Sequence, residues 1–312
     1  MATGTHDHAD DPRNHEILVW VDGRLRPRAE AVVSVFDSGF VLGDGVWEGL
    51  RVHHGHPAFL ERHLDRLWQG ATAIMLDIGM TREELTRALY DTLAANGMHD
   101  GVHVRLMVTR GVKSTPYQDP RMTIGPATVV IIAEHKEPMP ATVSEGITLF
   151  TTHVRRATPD TLDPKLNAHS KLNDITACIQ AYTAGADEAL MLDPHGFVAT
   201  CNSTHFFVVL GPPEEPEVWT SDGRFCLGGI TRGNVLEVCR DAGITARETT
   251  FSLTDVYSAR EAFVTGTFAG LVPVRSVDGR TIGTGSRGPV VERLQGLYAE
   301  HVTADVAGRV AP

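Results

Sequence analysis

Three short stretches of the chain carry residue types suited to holding an anion. In Leu227-Gly-Gly-Ile-Thr-Arg232, two glycines lead into an apolar-periodic segment that reads as a helix. The first N–H groups of a helix have no partner within it, and small residues let a ligand come close, so such a start favours an anion. In Val264-Thr-Gly-Thr-Phe-Ala-Gly270 a strand ends in hydroxyl-bearing and small residues, which can turn Oγ and N–H toward a phosphate. In His63-Leu-Asp-Arg-Leu67 an arginine lies among apolar helical positions, where its guanidinium could point inward and grip an anion. Each has a plain alternative: a loop-to-helix turn, a strand turn, or a surface arginine paired with Glu61 or Asp65. No Gly-Lys-Ser/Thr stretch is present and no Gly-x-Gly-x-x-Gly stretch follows a predicted strand, so neither a P-loop nor a dinucleotide fingerprint is expected.

The elements that must position these residues follow from periodicity. Ile17–Val21, an Asp22-Gly23 turn and Arg24–Arg26 predict a β-hairpin, and Ala31–Phe36 predicts a further short strand. Leu60, Leu64, Leu67, Ala71, Ile74 and Met75 recur at helical steps over 59–78. Thr81-Arg-Glu-Glu84 is a capping box opening the next helix, which ends near Asn96-Gly97. Strands are expected over 102–109 and 128–133. Glu134-His-Lys-Glu-Pro-Met-Pro140 breaks the pattern, and 136–145 is expected to link a domain of 15–135 to one of 146–312. The second half predicts a strand at 147–154, a helix over 170–184, a hairpin over 189–199, a strand at 206–210, a helix over 231–242, a strand at 262–264 and a closing helix from Pro289. Residues 1–14, rich in His, Asp and Asn, read as a disordered tail. Helices and strands mix without strict βαβ alternation, which makes the class α+β.

Composition narrows the function. The 312 residues carry 28 Lys+Arg against 39 Asp+Glu, a formal charge of −11. No basic face is available to neutralise phosphates, so neither nucleic acid nor an anionic membrane is an expected partner. No apolar run spans a bilayer, no apolar signal core opens the chain, and four cysteines without CxxC spacing suit reduced thiols in a cytoplasm.

In order and wording, the motifs resemble the fold type IV pyridoxal-phosphate enzymes, the class IV aminotransferases that act on branched-chain and D-amino acids. The resemblance runs from Ile17 to about Val302. It is carried by Val35-Phe-Asp-Ser-Gly-Phe-Val-Leu-Gly-Asp-Gly-Val-Trp-Glu-Gly-Leu-Arg51, His63–Leu67, Gly185-Ala-Asp-Glu-Ala-Leu-Met-Leu-Asp193, Gly229–Arg232 and Thr265-Gly-Thr267 followed by Pro273-Val274. The resemblance implies two α+β domains with the cofactor in the cleft between them, usually in a homodimer. It implies that Arg66, Ile230, Thr231, Gly266 and Thr267 hold the phosphate of pyridoxal 5'-phosphate. It also implies a substrate pocket with Arg105 for a carboxylate and Leu42, Trp47 and Phe268 as apolar lining. A strand arginine paired with an internal acid is the alternative for Arg105.

Two positions depart from the family. Its Schiff-base lysine stands eighteen residues before the glycine of Gly-Ala-Asp-Glu-Ala, and counting back from Gly185 lands on Asn167, whose amide forms no imine. Lys171, four residues on, ranks first as a relocated amine. Lys165 ranks second: on an extended segment it faces the same side as 167, ~6–7 Å back by strand rise. Alternatively both are solvated lysines. The carboxylate that pairs with the pyridine nitrogen is replaced by Thr200, and a hydroxyl lacks the opposite charge that keeps a pyridine protonated. His169 is a candidate general base by its ordinary pKa, or a structural loop histidine. Cys201, beside Thr200, has no evident partner for nucleophilic work. The expected activity is amino transfer between an amino acid or amine and a 2-oxo acid. A lyase or isomerase on the same fold, or a non-catalytic ligand-binding protein, are the competing readings.

Overall fold

The computed structural model describes residues 4–311. The first three residues of the expected tail lie outside it. The chain divides into two compact units. The first holds residues 10–137, 166–171 and 302–311, and the second holds 4–9, 138–165 and 172–301. The break after Glu137 falls inside the expected linker. Most of that stretch is helical, however, and two later segments return to the first unit.

The first unit contains β1 (Leu18–Val21), β2 (Arg24–Pro27), α1 (Ser38–Leu42), β3 (Gly45–His53), β4 (His56–Pro57), α2 (Leu60–Ala73), α3 (Arg82–Ala95), β5 (Val102–Thr109) and β6 (Thr128–His135). Its strands form one antiparallel sheet in the order β2-β1-β6-β5-β3-β4. Asp22 and Gly23 both take positive φ, as a tight two-residue hairpin turn requires. The β3–β5 ladder runs the full length of β5, from Gly45 opposite Thr109 to Val52 opposite Val102. Alternate residues Val102, Val104, Leu106 and Val108 are buried with Val46, Leu50 and Val52 against Leu60, Leu64, Leu67 and Ala71 of α2. Gly70 lets α2 close on the sheet, since a Cβ there would stand 3.1 Å from Val46. The capping box at Thr81 and Glu84 forms as predicted, each side chain meeting the other residue's backbone N–H.

Residues 31–36 are not a strand. Val32, Val33 and Val35 are exposed, because the six strands are already paired without this segment and no face covers it. The expected tail is also ordered where it is described: Pro12–His15 is a 3-10 turn capped by Asp11, and Thr5 is buried.

The second unit contains α4 (Pro140–Glu145), β7 (Ile147–Thr151), α5 (Pro159–Leu162), α6 (Leu172–Thr183), β8 (Glu188–Leu192), β9 (Val198–Cys201), β10 (His205–Leu210), β11 (Glu217–Thr220), α7 (Ile230–Asp241), β12 (Thr245–Glu248), α8 (Leu253–Tyr257), β13 (Glu261–Gly266), β14 (Gly270–Val277), β15 (Arg280–Thr281) and most of α9 (Pro289–Val306). Its mixed sheet runs β12-β11-β10-β13-β14-β7-β8-β9, with β15 on β14. The β7, β8 and β14 strands are parallel where they meet, and β10, β13 and β14 are antiparallel. Phe206, Val208, Val264 and Val272 form a core with Phe251 and Val256, whereas Phe207 and Phe263 stack on the other face toward Val235 and Leu294. Central strands buried on both faces explain why 188–192 and 205–209 are almost wholly apolar or buried.

Candidate active site

In the first unit, the segment 166–171 is tied to β3. Trp47 N–H donates to the Asn167 carbonyl at 3.0 Å, His169 N–H donates to the Gly45 carbonyl at 3.0 Å, and the Trp47 indole N–H reaches the Ala168 carbonyl at 3.1 Å. These bonds explain why six residues so late in the chain belong to this unit. Gly43 and Gly45 make room for them. A Cβ at 43 would lie 2.7 Å from Ser170 Oγ, and one at 45 would lie 3.2 Å from the His169 ring.

The buried Asn167 amide donates through Nδ2 to the Trp47 carbonyl at 2.6 Å and accepts through Oδ1 from Lys171 Nζ at 3.3 Å. The lysine amine therefore stands against the Asn167 amide, above the Trp47 indole at 5.5 Å from its centroid. The Arg105 guanidinium also stacks on Trp47, 4.0 Å from the centroid. Arg105 lies opposite Gly49 in the β3–β5 ladder and is exposed, with no hydrogen bond or ion pair to a described residue. It is not the strand arginine paired with an internal acid. Leu42 ends α1, half-buried, just before Gly43.

The His169 ring donates Nε2–H to the Val46 carbonyl at 3.1 Å. That bond leaves Nδ1 as the basic nitrogen. Burial, chiefly, pulls its pKa below the ordinary 6.5, so the ring is neutral at pH 7.

Arg66 is turned inward as expected, but onto a carboxylate the sequence did not single out. Its Nε and Nη2 meet the two oxygens of the fully buried Glu48 at 2.8 and 2.7 Å, and His63 Nδ1 is 2.7 Å from Glu48 Oε2. Neither Glu61 nor Asp65 is the partner in this fork-to-fork pair. Burial raises the Glu48 carboxyl, but Arg66 and His63 together bring it below its ordinary value. Burial also lowers the His63 pKa against the pull of Glu48, so the ring donates as a neutral imidazole. The signal that could have revealed Glu48 was its place on an alternating strand whose other inward residues, Val46, Leu50 and Val52, are all apolar.

In the second unit, α7 begins at Ile230 after Gly229, which serves as N-cap without a side-chain bond, so the first N–H groups face outward unpaired by the helix. Gly229 is required there: its Cβ would lie 2.2 Å from His205 Nε2. Thr231 is buried, and neither its hydroxyl nor that of Thr267 bonds a described residue. Gly266 ends β13, and Thr267, Phe268 and Ala269 make the turn to β14. Thr200 Oγ donates to the Thr204 carbonyl at 2.8 Å and lies 3.5 Å from His205 Nδ1. Cys201 is buried, which pushes its thiol well above the ordinary range, so it is no nucleophile.

Two expectations change. Lys165 sits exposed in a turn after Pro164, so strand alternation does not aim it toward the side of residue 167. Phe268 is buried with His6 stacked on its ring at 5.8 Å, so it packs against the N-terminal segment. Among the described residues no group of His, Cys, Asp or Glu is placed to hold a metal, and no helix is long and apolar enough to cross a membrane.

Comparison with known proteins places the chain in a family. Residues 45–277 match the family Amino-transferase class IV. The branched-chain-amino-acid aminotransferase-like protein 2 of Arabidopsis thaliana is 42% identical over 287 residues, 92% of this chain and 50% of its own length. The chain thus spans about half the length of that plant relative. The branched-chain-amino-acid aminotransferase of Pseudomonas aeruginosa is 31% identical over 297 residues, covering 92% of this chain and 93% of that one. A branched-chain amino acid aminotransferase from T.th., solved with pyridoxamine 5'-phosphate, superposes with a TM-score of 0.86 at 29% identity, covering 93% of this chain and 95% of that one. The chain belongs to the class IV aminotransferases, with the α+β fold type IV architecture of pyridoxal-phosphate transaminases.

Proposed function

We propose that this chain is a transaminase that exchanges an amino group between an amino acid or amine and a 2-oxo acid, with Lys171 in the role the family gives to the residue at 167. One observation carries the reading: Lys171 Nζ lies 3.3 Å from Asn167 Oδ1, so the amine is displaced by one side chain, not lost. The buried Asn167 is fixed by Trp47, which makes it a stop for the lysine stem. Arg105 on Trp47 and the neutral His169 on Val46 belong to the same strand-bound cluster.

The residues suit pyridoxal 5'-phosphate. Its phosphate end calls for N–H and hydroxyl donors beside small residues. The start of α7 at Ile230 and Thr231 and the turn at Gly266 and Thr267, all in the second unit, are of that kind. When bound, the cofactor supplies the electron sink for loss of a proton next to nitrogen. Lys171 would be the residue to hold the cofactor through its amine and to carry the proton. His169 Nδ1 accepts a proton at neutral pH. Arg105, exposed and lying on an aromatic face, binds a substrate carboxylate. Thr200 is committed to the Thr204 carbonyl and offers the pyridine nitrogen no charge, which lowers the rate relative to a carboxylate at that position.

Exposed Leu172, Ile175, Ile179 and Tyr182 recur along one side of α6, a contiguous apolar stripe of the kind that pairs subunits. The working form is a homodimer.

Borohydride reduction of the protein with pyridoxal phosphate, followed by peptide mapping, tests the lysine. The cofactor adduct is expected on Lys171, lost in Lys171→Ala and kept in Lys165→Ala. An adduct on any other lysine, or undiminished trapping in Lys171→Ala, overturns the assignment. Bound cofactor with no adduct at all favours the non-catalytic reading.

A further inference from the structure

We propose that residues 4–9 are a strap that sets the shape of the anion cup at Gly266–Thr267, with Thr5 and His6 as positioning residues; this rests on reading that cup as the cofactor's phosphate site. The strap is held at three points of the second unit. Thr5, buried, donates its hydroxyl to Glu188 Oε2 at 3.0 Å. The Asp7 carbonyl accepts from Met139 N–H at 3.3 Å. His6 stacks on Phe268 at 5.8 Å and 17°, and His8 meets the same ring edge-on at 6.5 Å.

Two of these holds lead to the cup through packed atoms. Glu188 is buried, and its other oxygen, Oε1, accepts from Ser203 N–H at 3.1 Å, Ser203 Oγ at 2.7 Å and Thr204 Oγ1 at 2.8 Å. The hydroxyl of Thr204 being tied to Glu188, its methyl rests against Gly266, 3.3 Å from where a Cβ would stand. One carboxylate thus joins the strap to the β9–β10 turn, and that turn to the end of β13. From the other direction, His6 bears on Phe268, the residue after Thr267. The space left beneath, lined by Thr5, His6, Thr204 and Val264 among others, is a cavity of about 10 Å³, room for no more than one water. The strap is therefore seated on the turn and not draped across it. Without Thr5, Glu188 Oε2 becomes a buried carboxylate oxygen with no donor, and the turn it organises loses one of its ties.

The test compares the full chain with Thr5→Val, Thr5→Ser, His6→Ala and a chain lacking residues 1–9. Pyridoxal phosphate affinity is measured by equilibrium dialysis, and cofactor-free thermal unfolding is recorded for each. Thr81→Ala, which weakens a helix cap in the first unit, is the control for general destabilisation. The truncation and Thr5→Val are expected to weaken binding about five- to twentyfold, a part of what one lost charged hydrogen bond is worth, since the bond acts on the cup through Glu188 and Thr204. Thr5→Ser restores affinity, and the exposed His6→Ala weakens it about threefold with unfolding unchanged, as suits one lost ring contact. Equal affinity across the strap variants overturns the strap and leaves the cofactor reading standing. A loss in Thr81→Ala matching that in Thr5→Val, or a loss that serine does not rescue, also overturns it. Failure of the full chain to bind pyridoxal phosphate overturns the cofactor reading and the strap's role with it.

Discussion

At the scale of single residues, the proposed amine rests on one contact, Lys171 Nζ to Asn167 Oδ1 at 3.3 Å. Asn167 and Lys171 are four apart in sequence and touch because 167–169 is pinned to β3. Counted by spacing, the resemblance sets Asn167 where it expects a lysine, with two lysines near it. Choosing between them needed the backbone: Lys165 falls in a turn and is exposed, whereas Lys171 folds back onto the amide. Arg66 shows the converse. Its inward orientation followed from apolar neighbours on the helix, but its partner lies eighteen residues earlier on a strand, a distance that helical spacing does not address. Glu48→Ala removes a fully buried carboxylate and with it two hydrogen bonds to the Arg66 guanidinium and one to His63. It is expected to cost about 3–5 kcal/mol, read as a lower denaturation midpoint with an unchanged slope. A loss under about 1 kcal/mol, the range of an exposed pair, would show that the cluster is solvated in solution.

At the scale of elements, local signals sufficed wherever an element is stabilised by its own residues. The Thr81 capping box and the Asp22-Gly23 turn are contained within a few residues and formed as predicted; the apolar stripe of α2 did so through Ala71, but the helix ends at Ala73 and Met75, expected on the stripe, is exposed with positive φ. Residues 31–36 failed for the opposite reason. A strand exists only where a neighbour accepts its hydrogen bonds, and alternating valines cannot announce that none is there. The glycine before α7 has both a local and a distant cause. It suits a helix start, and it is also the one residue that fits beside His205 on β10. Gly229→Ala is therefore expected to cost about 1–3 kcal/mol and to reduce cofactor binding, whereas Gly233→Ala, in open space on the same helix, is neutral or slightly stabilising. Thermal unfolding of the pair distinguishes a steric cause from a general effect of alanine in this helix.

At the scale of the whole molecule, two properties follow from burial. His63 and His169 both have pKa values lowered chiefly by burial, so the fold favours their neutral forms. Their contribution is complete above about pH 6.5, the unfolded value, and declines as pH falls from there toward their folded values, because the unfolded chain then binds more protons. Glu48, with its value lowered, adds a second loss beginning below about pH 4.5 and continuing down through its folded value. Unfolding temperature measured from pH 8 to 4 is expected to be flat, then to fall in these two windows; a flat profile down to pH 5 contradicts the neutral-histidine assignment. The stripe on α6 gives the other property. A chain of 33.9 kDa is expected to sediment as twice that mass, and Ile175→Asp with Ile179→Asp to return it to one. A single-mass wild-type chain refutes the pairing. By itself the sequence determined the class of fold and the family, because those are matters of residue type, local period and motif order. Only the tertiary structure decided that 166–171 returns to the first unit, that Glu48 holds Arg66, and that Thr5 reaches Glu188 across 183 positions. Contacts between distant segments depend on which surfaces find each other once the chain has collapsed, and no spacing within one stretch encodes that.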